Sequence, residues 1–144
     1  MSDKKIKNLV LTGASRGIGH ATVKRFSSAG WRVITCSRQE VPENCPWSAG
    51  MHDHVQIDLS SMDDILEGAR KIIEKLEGNP LHALVNNAGI SPKSDDNQRL
   101  DTINTSLDCW QQVFQVNFFA PILLAKSLKS SLVDASGSIV NVTS

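Results

Sequence analysis

The chain has 144 residues, 40% hydrophobic and 21% charged, which is the balance of a packed globular domain, so disorder is not the default reading. Its 15 basic and 15 acidic residues cancel without a basic block, which argues against a nucleic-acid partner. The start MSDKKIKN lacks a secretory apolar core, and the longest apolar run, FFAPILLA, is too short to span a bilayer, so neither export nor membrane insertion is expected.

Cys36, Cys45 and Cys109 are widely spaced and form no CxxC pair, so a disulfide framework and a zinc site are not expected and a reducing cytoplasm fits. The HDH stretch at residues 52–54 has no further clustered ligands, and no metal is expected there. The length predicts one domain over residues 1–144.

KNLVLTG is a short apolar run ending on a glycine and predicts a first buried strand. A glycine-rich turn follows. IGHATVKRFSSAG then predicts a helix, with Ile18, Ala21, Phe26 and Ala29 marking its buried side and Gly30 near its end. WRVITCS predicts a second strand, and residues 39–53, with Pro42, Pro46 and Gly50, an irregular loop. HVQIDL predicts a third strand. Ser61 then caps a helix whose apolar residues, from Met62 through Ile65, Ile72 and Leu76, recur at helical spacing up to Gly78.

LHALVNNAG predicts a fourth strand with a polar end, and residues 91–104 a polar loop. Ser106 or Asp108 then caps one long helix to about Ser131, and GSIVNVTS forms a fifth strand. Strands alternating with helices imply βαβ units and a mostly parallel sheet.

TGASRGIG (Thr12–Gly19) joins the first strand to the first helix. Gly13 permits a tight turn, Gly17 lets a pyrophosphate approach the backbone, and Gly19 lets the helix pack against the sheet. The helix N-terminus then offers unpaired N–H groups and partial positive charge to phosphate. Alone, the pattern also fits an ordinary glycine-rich turn. It does not stand alone, because NNAG (Asn86–Gly89) follows the fourth strand. Together, in order and at strand ends, the two motifs closely resemble the short-chain dehydrogenase/reductase family. Within it, the chain is most similar to bacterial 3-oxoacyl-(acyl-carrier-protein) reductases and related carbonyl reductases.

The resemblance runs from the first strand to the fifth. It implies an α/β fold of Rossmann type: a doubly wound parallel sheet in the order 3-2-1-4-5, lacking the family's C-terminal strands. By the same resemblance, Gly13, Ser15, Arg16, Gly17, Ile18 and Gly19 form the cofactor-binding turn. Asp58 with Leu59 sits beside the adenine, and Asn87, Ala88 and Gly89 line the nicotinamide ribose. Asn86 is expected instead to tie neighbouring strands together, since a buried amide must find partners.

The end of the second strand separates NAD from NADP. An acidic residue there would bind the ribose hydroxyls and repel a 2′-phosphate. This chain has Ser37 and Arg38, a hydroxyl and a guanidinium fork that matches phosphate, with Arg16 as a second basic group. NADP(H) is therefore the expected cofactor.

Asn117 and Pro121 sit four apart within the long helix. Proline has no N–H to return, so the Asn117 carbonyl loses its helical partner and water is expected to bind it. The resemblance makes Asn117 the kink residue of a proton relay and Ser144 the catalytic serine that binds the substrate carbonyl. The family's acid, a tyrosine followed four residues later by a lysine, has no counterpart, because the chain contains no tyrosine.

The reading is an NADP(H)-dependent reductase acting on a small carbonyl compound or an acyl thioester, with residues 1–144 inactive by themselves. An uncovered β-branched fifth strand would invite aggregation, so these residues are expected to belong to a longer reductase. The very apolar FFAPILLAKSL segment, with the family resemblance, points to a homo-oligomer, dimer or tetramer. A non-catalytic nucleotide-binding or assembly module is the alternative reading, and a sensor of NADP(H) redox state a third.

Overall fold

Five strands line up side by side: β1 (Asn8–Thr12), β2 (Arg32–Ser37), β3 (His54–Gln56), β4 (Ala83–Asn86) and β5 (Ser138–Asn141). The central three, β1, β2 and β4, are buried along nearly their whole length, as a sheet covered on both faces requires. The computed structural model describes residues 5–40 and 53–143. The sheet order is β3-β2-β1-β4-β5, as the family resemblance implies, and every pairing is parallel where the alternating pattern predicts a mostly parallel sheet.

Side chains alternate between the two faces along each strand. Leu9, Leu11, Val33, Ala83 and Val85 face one side, where Val23 of α1 (Gly17–Ser28) covers them. Val10, Ile34, Cys36 and Leu84 face the other. There they meet Ile65, Ile72 and Leu76 of α2 (Met62–Leu76) and residues of the segment that follows β4. Helices on both faces make the sheet doubly wound and Rossmann-like.

Two helical expectations need correction. In α1 the buried residues are Gly19 and Val23, while Ile18 is 63% exposed and Ala21 and Ala29 are also exposed. Gly19 has no side chain to bury. It therefore leaves no mark in an apolar pattern, although the helix is seated through it. The expected single long helix is four pieces: α3 (Leu107–Phe114), a π-helical turn (Gln115–Phe119), α4 (Ala120–Ser127) and α5 (Lys129–Asp134). The π turn sits just before Pro121, and the Ala120 N–H reaches back five residues to the Gln115 carbonyl. Widening the helix by one residue is a recognised way to accommodate such a break.

The caps fare better. Ser61 accepts from the Asp64 N–H and Ser106 from the Cys109 N–H, so both expected hydroxyl caps form. α2 ends at Glu77, itself left-handed at φ 51°, one residue before the expected Gly78. The irregular loop expected over residues 39–53 falls mostly outside the described residues. β5 forms the sheet edge and is exposed along its length.

Candidate dinucleotide-binding site

The strand order reverses between β1 and β4, and at that point the chain ends of the strands diverge to leave a crevice. A cleft of about 380 Å³ occupies it. Its walls are the β1–α1 turn and the segments leaving β2, β3 and β4. Every sequence-predicted cofactor residue lines this cleft except Gly19, which lies buried beneath it.

The β1–α1 turn is shaped by close backbone approach. Gly13 has φ 70°, and a Cβ there would lie 2.8 Å from the Ala88 Cα. A Cβ on Gly19 would overlap the Gly13 carbonyl oxygen and lie 2.8 Å from the Asn87 amide nitrogen. Gly19 thus seats α1 against the turn's own backbone. Gly17 is also left-handed, at φ 56°, with no atom within 4 Å of where its Cβ would be. Arg16, the N-cap residue, is extended and provides no side-chain cap, and the first turn contains no acidic residue. The N–H groups and partial positive charge of that turn are therefore available to an anion.

Thr12 locks the two sides of the crevice together. Its buried hydroxyl accepts from the N–H groups of Asn87 and Ala88, each at 3.1 Å. The Asn87 amide returns the contact, donating to the Thr12 carbonyl at 3.2 Å and the Gly13 carbonyl at 3.1 Å. Asn86 does tie strands together, donating to the Asn141 side chain at 2.9 Å. Gly89 has ordinary room, since a Cβ there would come no nearer than 3.6 Å to the Asn117 side-chain oxygen.

Ser37 and Arg38 leave β2 into the cleft, and Arg38 is exposed. Asp58 accepts from the Ser60 hydroxyl at 2.7 Å and the Ser60 N–H at 2.9 Å. Those bonds, with a smaller contribution from the Arg38 charge, hold its carboxyl below the usual range. Leu59 is buried beside it. Cys36 also lines the cleft, yet burial pushes its thiol up to about 12. A thiol kept protonated is a poor nucleophile. Cys36 is accordingly expected to stay unmodified when the native protein meets iodoacetamide near neutral pH and to react once unfolded, as peptide mapping would read.

Asn117 lies in the π turn and makes two bonds to one residue. Its side chain accepts from the Ile90 N–H at 2.8 Å and donates to the Ile90 carbonyl at 2.7 Å. The amide therefore docks the segment leaving β4 onto the helix, a role the sequence reading did not foresee. Asn117→Ala removes both bonds and is expected to cost about 1–3 kcal/mol, seen as a lower urea midpoint with unchanged slope. Ser144 lies outside the described residues.

Sequence reasoning missed Thr12, Ile57, Ser60, Ile90, Gln112 and Val116. Thr12 opens the first motif and Ile90 directly follows the second, and their position alone could have flagged them. Gln112 and Val116 come from a distant helix, and no local signal marks them. Among the described residues no group of three or more His, Cys, Asp or Glu is placed to hold a metal.

This fold and cleft define a dinucleotide-binding protein of the Rossmann type. The short chain dehydrogenase family model matches residues 7–144, and the chain belongs to that family. It is 55% identical over 139 residues to Protein FixR of Bradyrhizobium diazoefficiens, covering 96% of this chain and 50% of that one. It is 32% identical to the NADPH-dependent 1-acyldihydroxyacetone phosphate reductase of Schizosaccharomyces pombe, covering 96% of this chain and 44% of that protein. The crystal structure of a Brucella ovis oxidoreductase of this family, in complex with a partially ordered NAD, superposes with TM-score 0.91 at 61% identity. That match covers 96% of this chain and 63% of the Brucella chain. The chain spans about half the length of the curated relatives it matches.

Proposed function

We propose that this chain carries the cofactor site of an NADP(H)-dependent oxidoreductase that interconverts a ketone and a secondary alcohol, with 3-oxoacyl thioesters as a candidate substrate class. The observation that carries the reading is the cleft's charge pattern. An uncapped helix N-terminus, Arg16 and Arg38 line it, and the residues leaving β2 are Ser37 and Arg38 rather than an acid. A guanidinium there suits a 2′-phosphate. The named relatives include both an NAD complex and an NADPH-dependent enzyme, so the preference rests on Arg38.

When bound, the nicotinamide supplies or accepts the hydride. In this chain Gly13, Ser15, Gly17 and Ile18 hold the phosphates, Asp58 and Leu59 flank the adenine, and Asn87–Gly89 line the nicotinamide ribose. Asn117 fixes the segment leaving β4 through Ile90, and Ser144 binds the substrate carbonyl. Residues 1–144 contain no tyrosine to give the alkoxide a proton. They are expected to bind NADPH without turnover.

An absorbance assay of NADPH consumption against a panel of ketones and 3-oxoacyl thioesters tests this. Robust turnover by residues 1–144 would overturn the account of the missing acid. The uncovered aromatics Phe114, Phe118 and Phe119, each about half exposed, support a homo-oligomer, which light scattering would detect. Among the described residues no helix is long and apolar enough to cross a membrane.

A further inference from the structure

β3 carries two polar side chains on one face, His54 and Gln56, and both reach across to the segment leaving β2. The His54 Nε2 lies 2.9 Å from the Gln39 carbonyl. A carbonyl only accepts, so Nε2 carries the proton, and Nδ1 then accepts from the Thr35 hydroxyl at 2.8 Å. Gln56 donates to the Arg38 carbonyl at 2.8 Å. The Ser37 hydroxyl donates to the same Gln39 carbonyl at 2.8 Å and lies 3.4 Å from the His54 Nε2. Two successive carbonyls of one exposed turn are thus held from the neighbouring strand. β3 is itself anchored just before His54, where Asp53 accepts from the Arg32 guanidinium at 2.7 Å and 3.1 Å.

Such a clasp is more than the sheet requires. The ladder between β2 and β3 ends at the pair Ser37 and Gln56. Beyond it, among the described residues, the Ser37 carbonyl takes one more backbone bond, from the Ile57 N–H at 2.9 Å. The Arg38 and Gln39 carbonyls are held by side chains, and Arg38 stands there as a long cation at the cleft rim. A guanidinium recognises phosphate through a fixed fork, so the backbone beneath it must be fixed too.

We propose that His54 and Gln56 are positioning residues that hold the Ser37–Gln39 turn so that Arg38 meets the cofactor's 2′-phosphate. The inference rests on the NADP(H) reading above and adds residues that act through Arg38 without touching the cofactor. Burial and the nearby Lys75 charge hold the His54 ring below its ordinary pKa, so the ring is neutral at pH 7, as the tautomer requires.

The test compares NADPH and NADH dissociation constants, by fluorescence titration, for the purified full chain and four variants. NADH lacks the 2′-phosphate, so a general loss of fold lowers both affinities while mispositioned Arg38 lowers one. Gln56→Ala and the double variant His54→Ala/Gln56→Ala are expected to weaken NADPH by about 3- to 10-fold, with NADH within 2-fold. His54→Gln, which keeps an N–H near the Nε2 position, is expected to retain wild-type preference. Arg38→Ala is the control for the cofactor reading. If it lowers the NADPH preference and Gln56→Ala and the double variant do not, or if these weaken both cofactors equally, the clasp is refuted and the NADP(H) reading stands. If Arg38→Ala leaves the preference unchanged, the NADP(H) reading fails and the clasp falls with it.

Discussion

Gly19→Ala is expected to abolish dinucleotide binding and to destabilise the protein by about 3 kcal/mol, the upper end for overpacking a tight contact. The added methyl would overlap the Gly13 carbonyl oxygen and press on the Asn87 amide. Neither is a flexible chain end that can step aside. The Gly13 carbonyl belongs to the turn, and Asn87 holds that carbonyl and the Thr12 carbonyl in place. Relief therefore requires α1 to lift away from the turn. That displaces the N–H groups on which the phosphate site depends.

Gly17→Ala provides the contrast. Its Cβ would meet no protein atom, so the cost is the left-handed backbone alone, about 1–2 kcal/mol. Urea denaturation and a cofactor titration on both variants separate the two effects. Full binding by a folded Gly19→Ala protein would mean that the turn geometry does not make the site.

Arg38→Asp is expected to weaken NADPH by about 100-fold or more while leaving NADH nearly unchanged or improved. Removing charge-assisted hydrogen bonds to phosphate costs about 1.5–3 kcal/mol, and the new carboxylate adds repulsion. An acid at this position can also accept from the ribose hydroxyls that NADH presents. Arg38 is exposed and no described hydrogen bond or ion pair holds its side chain, so the fold should survive the change. Equal losses for both cofactors would remove the 2′-phosphate assignment.

The strands and the cleft walls were legible because their signals are local, and the sheet order followed from the family resemblance that those motifs carry. Apolar runs such as NLVLT and ALVN end on motifs whose glycines and amides have few other uses. The two hydroxyl caps, Ser61 and Ser106, were legible for the same reason. What escaped depended on distance or on missing side chains. The buried side of α1 was misread from its apolar pattern, because Gly19 has no side chain to mark it, although the glycine turn did place Gly19 at the packing contact. The π turn arises where Pro121 removes a donor, and the sequence marks the lost bond but not its repair. The docking of Asn117 on Ile90 joins residues 27 apart, and His54 meets Gln39 from another strand. Such pairings exist only once the sheet has set its register.

We propose that the crevice where the strand order reverses binds a nicotinamide dinucleotide, with Arg38 after β2 meeting a 2′-phosphate. A parallel fluorescence titration of the purified protein with NADPH and NADH tests it most directly. Saturable binding at one site per chain is expected, with NADPH the tighter of the two. No saturable binding of either, or a clear preference for NADH, would contradict it.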